Sequence, residues 1–514
     1  MVLTLLLSGL LACQKPVPPE VGPGTPAIGG SGILTVLHTN DMHGHFLPEP
    51  AKWLDGAPSI GGFELLDAYV SDYRAAAGEG AVLLLDGGDM LTGTPLTDEV
   101  VDGAGGGAMI QMMEAVGYDA MALGNHEFDQ GYENVQAIME AADFPVLSSN
   151  ILAPGGGPAF PGQDVSVVIE RAGLSIGLIG ATTEGLGSLV STTMHDKLSI
   201  ESITESVAAE VERLDPLTDL LVVVSHIGVD SDRTLAASVP GIDLIVGGHS
   251  HTALVEPEQI GGTWVVQAGS YTRSLGVLTL TVADDSITAF DGALVDLLPE
   301  SAPGEASAEI TSLVKKYSEL MASRYGEHLS DATETLGRDY NDESALGDWI
   351  TDVLREATGA DIAVYNAGGL RADLNAGPLT LRSIYEIFPF GNEVVTFELT
   401  GPEVVSILLG NAQAQMEGES SFTSISGASL VWRERLGAPE VVEARVGGEL
   451  IDLDRTYRIA TNSYVAEHAK KKLHNTAPKD QQDFGQTVMQ VAAEAARQGD
   501  VEPPEMGRIQ RATE

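Results

Sequence analysis

Short apolar runs in the first half of the chain are followed by side chains that can bind metal ions. Aspartate, asparagine and histidine recur there, often beside glycine. Carboxylate, amide oxygen and imidazole without thiolate suit zinc, manganese, iron or cobalt. A single Asp or His in such a place is usually a helix cap or a packed side chain, but the repeated pattern predicts one metal centre. The segments are Asp41-Met42-His43, Asp86-Gly87-Gly88-Asp89, Gly124-Asn125-His126-Glu127, Ser225-His226 and Gly247-Gly248-His249-Ser250-His251.

The apolar runs themselves predict how these side chains are positioned. They are short and bounded by polar residues, which is typical of buried strands. Helix-like segments such as Phe63–Arg74 and Ala108–Val116 lie between them, so the pattern predicts an α/β domain. Ligands bind outside the carboxyl ends of strands in open α/β sheets, and we therefore expect these side chains in one crevice. The predicted strands are Ile33–Leu37, Val82–Leu85, Ala120–Leu123, Leu174–Ile179, Leu220–Val224 and Leu244–Val246.

The metal-binding motifs resemble those of the two-domain 5′-nucleotidase family, whose N-terminal domain is a calcineurin-like metallophosphoesterase. The most specific match is Gly124-Asn125-His126-Glu127-Phe128-Asp129-x-Gly131, and the other motifs match in order and approximate spacing. The resemblance implies an α/β protein with an N-terminal metallophosphoesterase β-sandwich flanked by helices. A second, C-terminal α/β substrate-binding domain would follow it.

The resemblance also implies two divalent metal ions, of Zn, Mn, Fe or Co, and a role for each ligand. One metal would be bound by Asp41, His43, Asp89 and His251. The other would be bound by Asp89, Asn125, His226 and His249, with Asp89 bridging. His251 stands where these nucleotidases often carry Gln or Asn.

The same resemblance makes His126 the catalytic histidine that binds no metal. Asp129 lies three residues later, which places it over the same face of a helical turn. We expect the Asp129 carboxylate to orient the imidazole and to favour its protonated form.

Motifs in the second half resemble the family's substrate-binding segments. Asn366-Ala367-Gly368-Gly369-Leu370-Arg371 follows the predicted strand Ile362–Tyr365, and Glu343-Ser344-Ala345-Leu346-Gly347-Asp348 matches a helix start, with Asp348 in place of the usual Asn. The resemblance implies substrate binding by Asn366, Gly368, Gly369 and Arg371, with Phe390 as one wall of a base-stacking slot.

One family motif is absent from this chain. The Gly-Gly-Asp-Gly-Phe/Tyr block, which supplies the second stacking aromatic, is replaced by Glu467-His468-Ala469-Lys470-Lys471-Lys472. Tyr464 and Phe484 are the candidate replacements for the aromatic. The lysine run is either a solvated face or a rim that attracts anions.

The N-terminal residues Leu10-Leu11-Ala12-Cys13 resemble a bacterial lipobox, in which the cysteine is lipidated. This implies an exported bacterial lipoprotein of the periplasm, outer membrane or cell surface, held at the membrane through its lipid anchor only. The expected organisation is a signal peptide (1–12), a Pro/Gly tether (13–32), the catalytic domain (33–300), a linker with a bridging helix (301–330) and the substrate-binding domain (331–514).

Composition limits the class of partner. The 514-residue chain carries 74 acidic and 27 basic side chains, a net charge of −47. A nucleic-acid polymer is excluded as partner because its binding needs clustered Lys and Arg. A small phosphate ester stays compatible, since bound metal ions reverse the field locally. The single cysteine excludes a disulfide scaffold.

These features predict a metal-dependent phosphoric ester hydrolase that uses a metal-bridging water. The expected reaction is hydrolysis of phosphate monoesters, with nucleoside 5′-monophosphates giving nucleoside and phosphate. The altered C-terminal motif leaves three other activities open on the same site: nucleotide-sugar pyrophosphatase, 2′,3′-cyclic nucleotide phosphodiesterase and sulfur-ester hydrolase. A metal-loaded surface binding protein without turnover is the alternative from a different class.

Overall fold

The structure is a computed structural model that describes residues 30–418 and 422–512. The predicted signal peptide, Cys13 and most of the predicted tether lie outside the described residues, so these remain predictions. Within the described ranges, no helix combines the length and the apolar character needed to cross a lipid bilayer.

Two six-stranded sheets form the centre of the first half. The central strands of each sheet run parallel, and antiparallel strands complete one edge of the first sheet and both edges of the second. The strand order of the first sheet is Ile287–Asp296, Ser274–Val282, Gly32–Thr39, Val82–Asp86, Ala120–Ala122 and Val146–Leu147. The order of the second sheet is Ser166–Arg171, Leu174–Thr182, Leu220–His226, Leu244–Val246, Thr263–Val266 and Glu258–Ile260.

The two sheets pack face to face and share one apolar core. Val222 and Val224 of the second sheet lie in this core with Leu34 of the first. Their neighbours Leu221 and Val223 point the other way, into the layer between sheet and helices. Because both faces of these strands are buried, they are apolar at successive positions rather than alternating.

Helices cover the outer face of each sheet, which confirms the predicted β-sandwich flanked by helices. The helix Ala308–Tyr325, predicted as a bridge, contributes Ile310 and Val314 to the core beside the first sheet. The other helices on that face are Phe63–Ala77, Gly107–Val116 and Tyr132–Ala141, and those beside the second sheet are Ile203–Leu214 and Val229–Ser238.

The second half has its own sheets and cores, as predicted for a second α/β domain. The order of its five-stranded sheet is Thr423–Ser426, Ile362–Asn366, Thr456–Asn462, Glu393–Thr400 and Lys479–Thr487. The four-stranded sheet has the order Glu449–Leu450, Ala438–Val446, Ala428–Arg435 and Ile509–Arg511. The helices of this half are Ala345–Thr358, Leu381–Ile387, Gly401–Glu417, Ser463–Glu467, Ala469–Lys472 and Val488–Arg497.

Short two-stranded ribbons complete the described structure. They pair Glu49–Pro50 with Ser59–Ile60, Val100–Val101 with Ala104–Gly105, Ile151–Leu152 with Ser199–Ile200, and His328–Ala332 with Gly377–Thr380.

Candidate metal centre and active site

The predicted metal ligands meet where the carboxyl ends of strands from both sheets lie side by side. The ligand atoms of Asp41, His43 and His251 lie within 4.8 Å of one another. Those of Asp89, His226 and His249 form a second group with the same limit, 4.8 Å. His126 also lies within this limit of His43 and Asp89. The expected convergence in one crevice is therefore present.

Most of these ligands sit on strained backbone. The φ angles are 51° at Asp41, 49° at His43, 59° at Asp89, 77° at His249 and 54° at His251. Left-handed backbone is uncommon for residues other than glycine and costs about 1–3 kcal/mol at each position. Hydrogen bonds between loops hold it, since the Asp41 amide donates to Gly88 O at 2.8 Å and the His43 amide to Asp89 O at 3.0 Å. Such clusters of strain are typical of functional sites.

Backbone carbonyls orient two of the imidazole rings. His43 Nδ1 donates to Leu91 O at 2.8 Å, and His226 Nδ1 donates to Gly87 O at 2.7 Å. Each ring therefore directs its Nε2 atom into the site, as metal-binding histidines do. His226 Nε2 lies 3.0 Å from an Asp89 carboxylate oxygen.

The donor atoms fit two divalent cations. His43 Nε2 faces His251 Nε2 at 3.1 Å, and His226 Nε2 faces His249 Nδ1 at 3.2 Å. Two imidazole nitrogens at such a distance need a proton or a shared cation between them. The buried Asn125 Oδ1 has no hydrogen-bond partner among the described residues. Carboxylate, imidazole and amide oxygen are also the donors that zinc, manganese and related ions prefer.

The protonation of the histidines follows from burial and from Asp89. Burial lowers the pKa of His43 well below its ordinary value and that of His249 to about 4. At His226 burial acts in the same direction, but the Asp89 carboxylate outweighs it and raises the pKa to about 10. Without a cation, a proton on His226 therefore balances the charge of Asp89. A metal ion has to displace that proton.

His126 and Asp129 form a hydrogen-bonded pair at the edge of the metal-binding cluster. His126 Nδ1 donates to Asp129 Oδ2 at 2.6 Å, and Thr92 Oγ1 donates to the same oxygen at 2.6 Å. His126 Nε2 faces the site, 3.9 Å from Asp89 Oδ2. Burial disfavours the imidazolium, yet Asp129 and then Asp89 raise the pKa of His126 above its ordinary value. The pair has the arrangement expected for a histidine that holds a proton towards substrate.

Glu127 is a functional residue to which the sequence analysis assigned no role. Its buried carboxylate accepts hydrogen bonds from the amides of Asp89 at 3.1 Å, Met90 at 2.9 Å, Leu91 at 3.2 Å and Gly124 at 2.8 Å. One side chain thus joins the Asp89 loop to the loop that carries Asn125. The sequence signal that could have indicated this role is the position of Glu127 inside the family-specific motif from Gly124 to Gly131.

A cavity of about 820 Å³ connects this cluster to the second half of the chain. The Phe390 ring stacks on His126 with centroids 5.7 Å apart, and the Arg371 guanidinium lies 5.7 Å from the Phe390 ring. Residues from the first half that line the cavity include Asp89, Asn125, His126, Asp129, His249 and His251, and those from the second half include Asn366, Gly368, Gly369, Arg371 and Phe390.

The structure also separates the two candidates for the second aromatic wall. Tyr464 lines the cavity, and its hydroxyl donates to Ser188 O of the first half at 3.1 Å. Phe484 is 37% exposed and is not among the residues that line the cavity.

Comparison with known proteins matches two family models to separate parts of the chain. The calcineurin-like phosphoesterase family matches residues 34–253, and the family of the 5′-nucleotidase C-terminal domain matches residues 326–474. A 5′-nucleotidase from Vibrio vulnificus (strain CMCP6) is 28% identical over 84% of this chain and 84% of its own length. The trifunctional nucleotide phosphoesterase protein YfkN of Bacillus subtilis (strain 168) is 26% identical over 94% of this chain, which spans only 35% of that relative.

A solved structure has the same fold as both halves of this chain. The 5′-nucleotidase precursor from Thermus thermophilus superimposes with a TM-score of 0.82 at 27% identity, over 94% of this chain and 100% of that one. Calcineurin-like phosphoesterases use divalent metal ions, in agreement with the clustered Asp and His side chains. The chain belongs to the two-domain 5′-nucleotidase family of phosphoesterase hydrolases, in which a calcineurin-like domain is joined to a 5′-nucleotidase C-terminal domain.

Proposed function

We propose that the protein hydrolyses phosphate monoesters with two bound divalent cations, and that nucleoside 5′-monophosphates are its substrates. The observation that carries this proposal is the cavity that the metal-ligand cluster and the Asn366–Arg371 segment line together. An ester held by that segment has its phosphate directed at the cluster.

We assign one cation to Asp41, His43, Asp89 and His251, and the other to Asp89, Asn125, His226 and His249. Bound there, the cations would polarise the phosphoryl oxygens and lower the pKa of a water molecule. Glu127 and the loop hydrogen bonds keep the ligands in place before substrate arrives.

The remaining roles fall to side chains that need no metal. His126, held by Asp129, presents Nε2 to the cavity and is placed to donate a proton to the oxygen of the leaving alcohol. Arg371 can bind phosphoryl oxygens through two parallel N–H donors. Phe390 offers a flat apolar face to the leaving group, and Tyr464 offers the second aromatic surface.

A substrate panel tests this proposal. Each substrate is assayed through its own product: phosphate from AMP and UMP, UMP and sugar phosphate from a UDP-sugar, nucleoside monophosphate from a 2′,3′-cyclic nucleotide, and sulfate from a sulfur ester. The metal content of the same sample is determined. We expect the highest kcat/KM for a nucleoside 5′-monophosphate. A higher kcat/KM for one of the other three classes would replace the substrate assignment, and no turnover of any of them would contradict the proposed activity.

The domain boundaries and the lipid anchor are separate proposals. We propose a catalytic unit from 33 to 300, a linker with the bridging helix from 301 to 330, and a substrate-binding unit from 331 to 514. The Leu10-Leu11-Ala12-Cys13 motif supports lipidation of Cys13, and hence an exported lipoprotein. Mass spectrometry of the N-terminal peptide from the producing cell tests the lipidation.

A further inference from the structure

Lys472 is a positively charged side chain on the cavity wall that lacks an acidic partner. It lies at the end of the helix Ala469–Lys472 and is half-buried. Among the described residues, no carboxylate oxygen lies within 4 Å of its Nζ, whereas Lys197 pairs with Glu133 at 2.7 Å. Other described lysines also lack such a partner, but Lys472 is the lysine among the residues that line the cavity.

Its surroundings hold this ammonium group in place without neutralising it. Nζ lies 5.4 Å from the centre of the Tyr464 ring, a cation–π contact. The Tyr464 hydroxyl is itself fixed to Ser188 O of the first half. Burial, and then the neighbouring Lys471, lower the pKa of Lys472. A partly desolvated cation costs free energy unless an anion compensates it.

Among the described side chains, Arg371 is the other positively charged residue of the cavity that has no carboxylate within 4 Å. It lies beside a different wall of the cavity from Lys472. Its guanidinium lies over Phe390, whose ring stacks on His126 at the metal-binding cluster. Arg371 is therefore the cation placed for the scissile phosphate. Lys472 lies over Tyr464, on the wall where the family's second aromatic block is absent from this chain. Lys472 is therefore available to bind another part of the substrate.

We propose that Lys472 is a specificity-determining residue that binds a second anionic group, carried by the leaving group of the ester. The substrate class is a nucleotide with a carboxylate on its base or a phosphate on its ribose, in addition to the phosphate that is hydrolysed. This inference rests on the proposed phosphoesterase function and names its substrate class.

The same lysine run supplies a matched control. Lys470 is exposed two residues earlier and does not line the cavity. Lys471 is less suitable, because its Nζ donates to Ser188 Oγ at 3.1 Å. Lys470→Met therefore removes one charge from the same segment outside the cavity.

The test compares substrate pairs that differ by one anionic group. UMP is compared with orotidine 5′-monophosphate for a carboxylate on the base, and AMP with adenosine 3′,5′-bisphosphate for a phosphate on the ribose. We measure kcat/KM by loss of the 5′-phosphate, and the dissociation constant of each nucleotide by calorimetry. The proteins are the metal-loaded wild type, Lys472→Met, Lys472→Arg and Lys470→Met.

We expect the wild type to prefer the more anionic member of one pair. The pair that shows this preference identifies the anionic group as either the carboxylate on the base or the phosphate on the ribose. Lys472→Met should lower kcat/KM and affinity for that member about tenfold more than for its partner, since a charge-assisted hydrogen bond is lost. Lys472→Arg should retain most of the preference, and Lys470→Met should keep the wild-type ratio. Equal effects of Lys472→Met on both members of each pair would overturn the proposal. If no nucleotide is hydrolysed, the proposed function fails, while the calorimetric ratios still decide the role of Lys472.

Discussion

At the scale of single residues, His126 is the side chain to which the proposed function assigns proton donation to the leaving group. Its Nδ1 is bound to Asp129 at 2.6 Å, and its Nε2 faces the metal-binding cluster. The sequence predicted this pair from a separation of three residues. It did not predict the third member, Thr92, because a contact between distant loops leaves no mark in local spacing.

We predict that His126→Ala lowers kcat about 10²- to 10⁴-fold, the usual range for loss of a general acid or base. Asp129→Asn should lower kcat less, because the imidazole stays in place but loses the carboxylate that favours its protonated form. Steady-state kinetics with AMP or UMP measures both variants.

Metal analysis is the control for this pair of variants, and both should bind as much metal as the wild type. Unchanged turnover in His126→Ala at equal metal content would show that the histidine has no part in catalysis.

Glu127 gives a second prediction at this scale. Glu127→Gln replaces one acceptor oxygen by an NH₂ group that faces backbone N–H donors. We expect a loss of about 1–3 kcal/mol in the free energy of unfolding, the cost of unsatisfied buried donors, together with weaker metal binding. Urea unfolding and metal titration measure the two effects. The exposed Glu212→Gln is the matched control, and equal results for both variants would contradict this role for Glu127.

At the scale of secondary-structure elements, apolar runs predicted the central strands well. Leu244–Val246 has the predicted bounds, and the strand predicted as Leu220–Val224 extends to His226, so that one ligand lies within the strand. The left-handed backbone at Asp41 and Asp89 was not predictable, since tertiary hydrogen bonds impose it against local preference.

The helix Ala345–Thr358 carries the most informative departure from the family's pattern. Asp348, in place of the usual Asn, is buried 3.4 Å from Arg508, which also pairs with Asp352 at 2.7 Å. Burial, and then Glu343, raise the pKa of Asp348 to about 9. Because the unfolded chain loses this proton near pH 4, stability falls as pH rises from about 4 towards 9.

We predict that Asp348→Asn removes this fall in stability at high pH, since Asn cannot ionise and Asp352 still compensates the charge of Arg508. Relative to the wild type, the variant should gain about 1–3 kcal/mol in stability at pH 8 and less at pH 5. Urea midpoints at the two pH values measure the difference. A variant that is equally destabilised at both would instead mean that Asp348 is ionised and paired with Arg508.

At the scale of the whole molecule, the site depends on contact between the two halves. Motifs in each half identified the side chains separately, from Asp41 to His251 and from Asn366 to Phe390. Their meeting at Phe390 and His126 depends on packing between segments far apart in sequence, which no local pattern encodes. For the same reason, the sequence could not predict that Tyr464 lies on the cavity wall.

The net charge of −47 leads to a prediction at this scale. The cavity is lined by three cations, Arg338, Arg371 and Lys472, and by four carboxylates, Asp89, Asp129, Glu393 and Glu467. Two bound divalent cations would therefore make the site a small exception on an acidic molecule. An anionic substrate is therefore repelled at long range, and salt screens this repulsion. We expect kcat/KM to rise about two- to tenfold between 10 and 150 mM NaCl at constant metal content. A clear fall would mean that local attraction dominates the approach of the substrate.

The most direct test of the dimetal assignment is a metal titration of chelated protein, with phosphate release from a nucleoside 5′-monophosphate measured at each step. Chelated protein should be inactive, and activity should return and reach its maximum at two equivalents of a divalent cation such as Mn²⁺ or Zn²⁺. Under the same conditions, Asp89→Asn should stay inactive or bind less metal, because its carboxylate is assigned to both ions. Full turnover by metal-free protein, or an Asp89→Asn variant with wild-type turnover, would contradict the dimetal assignment.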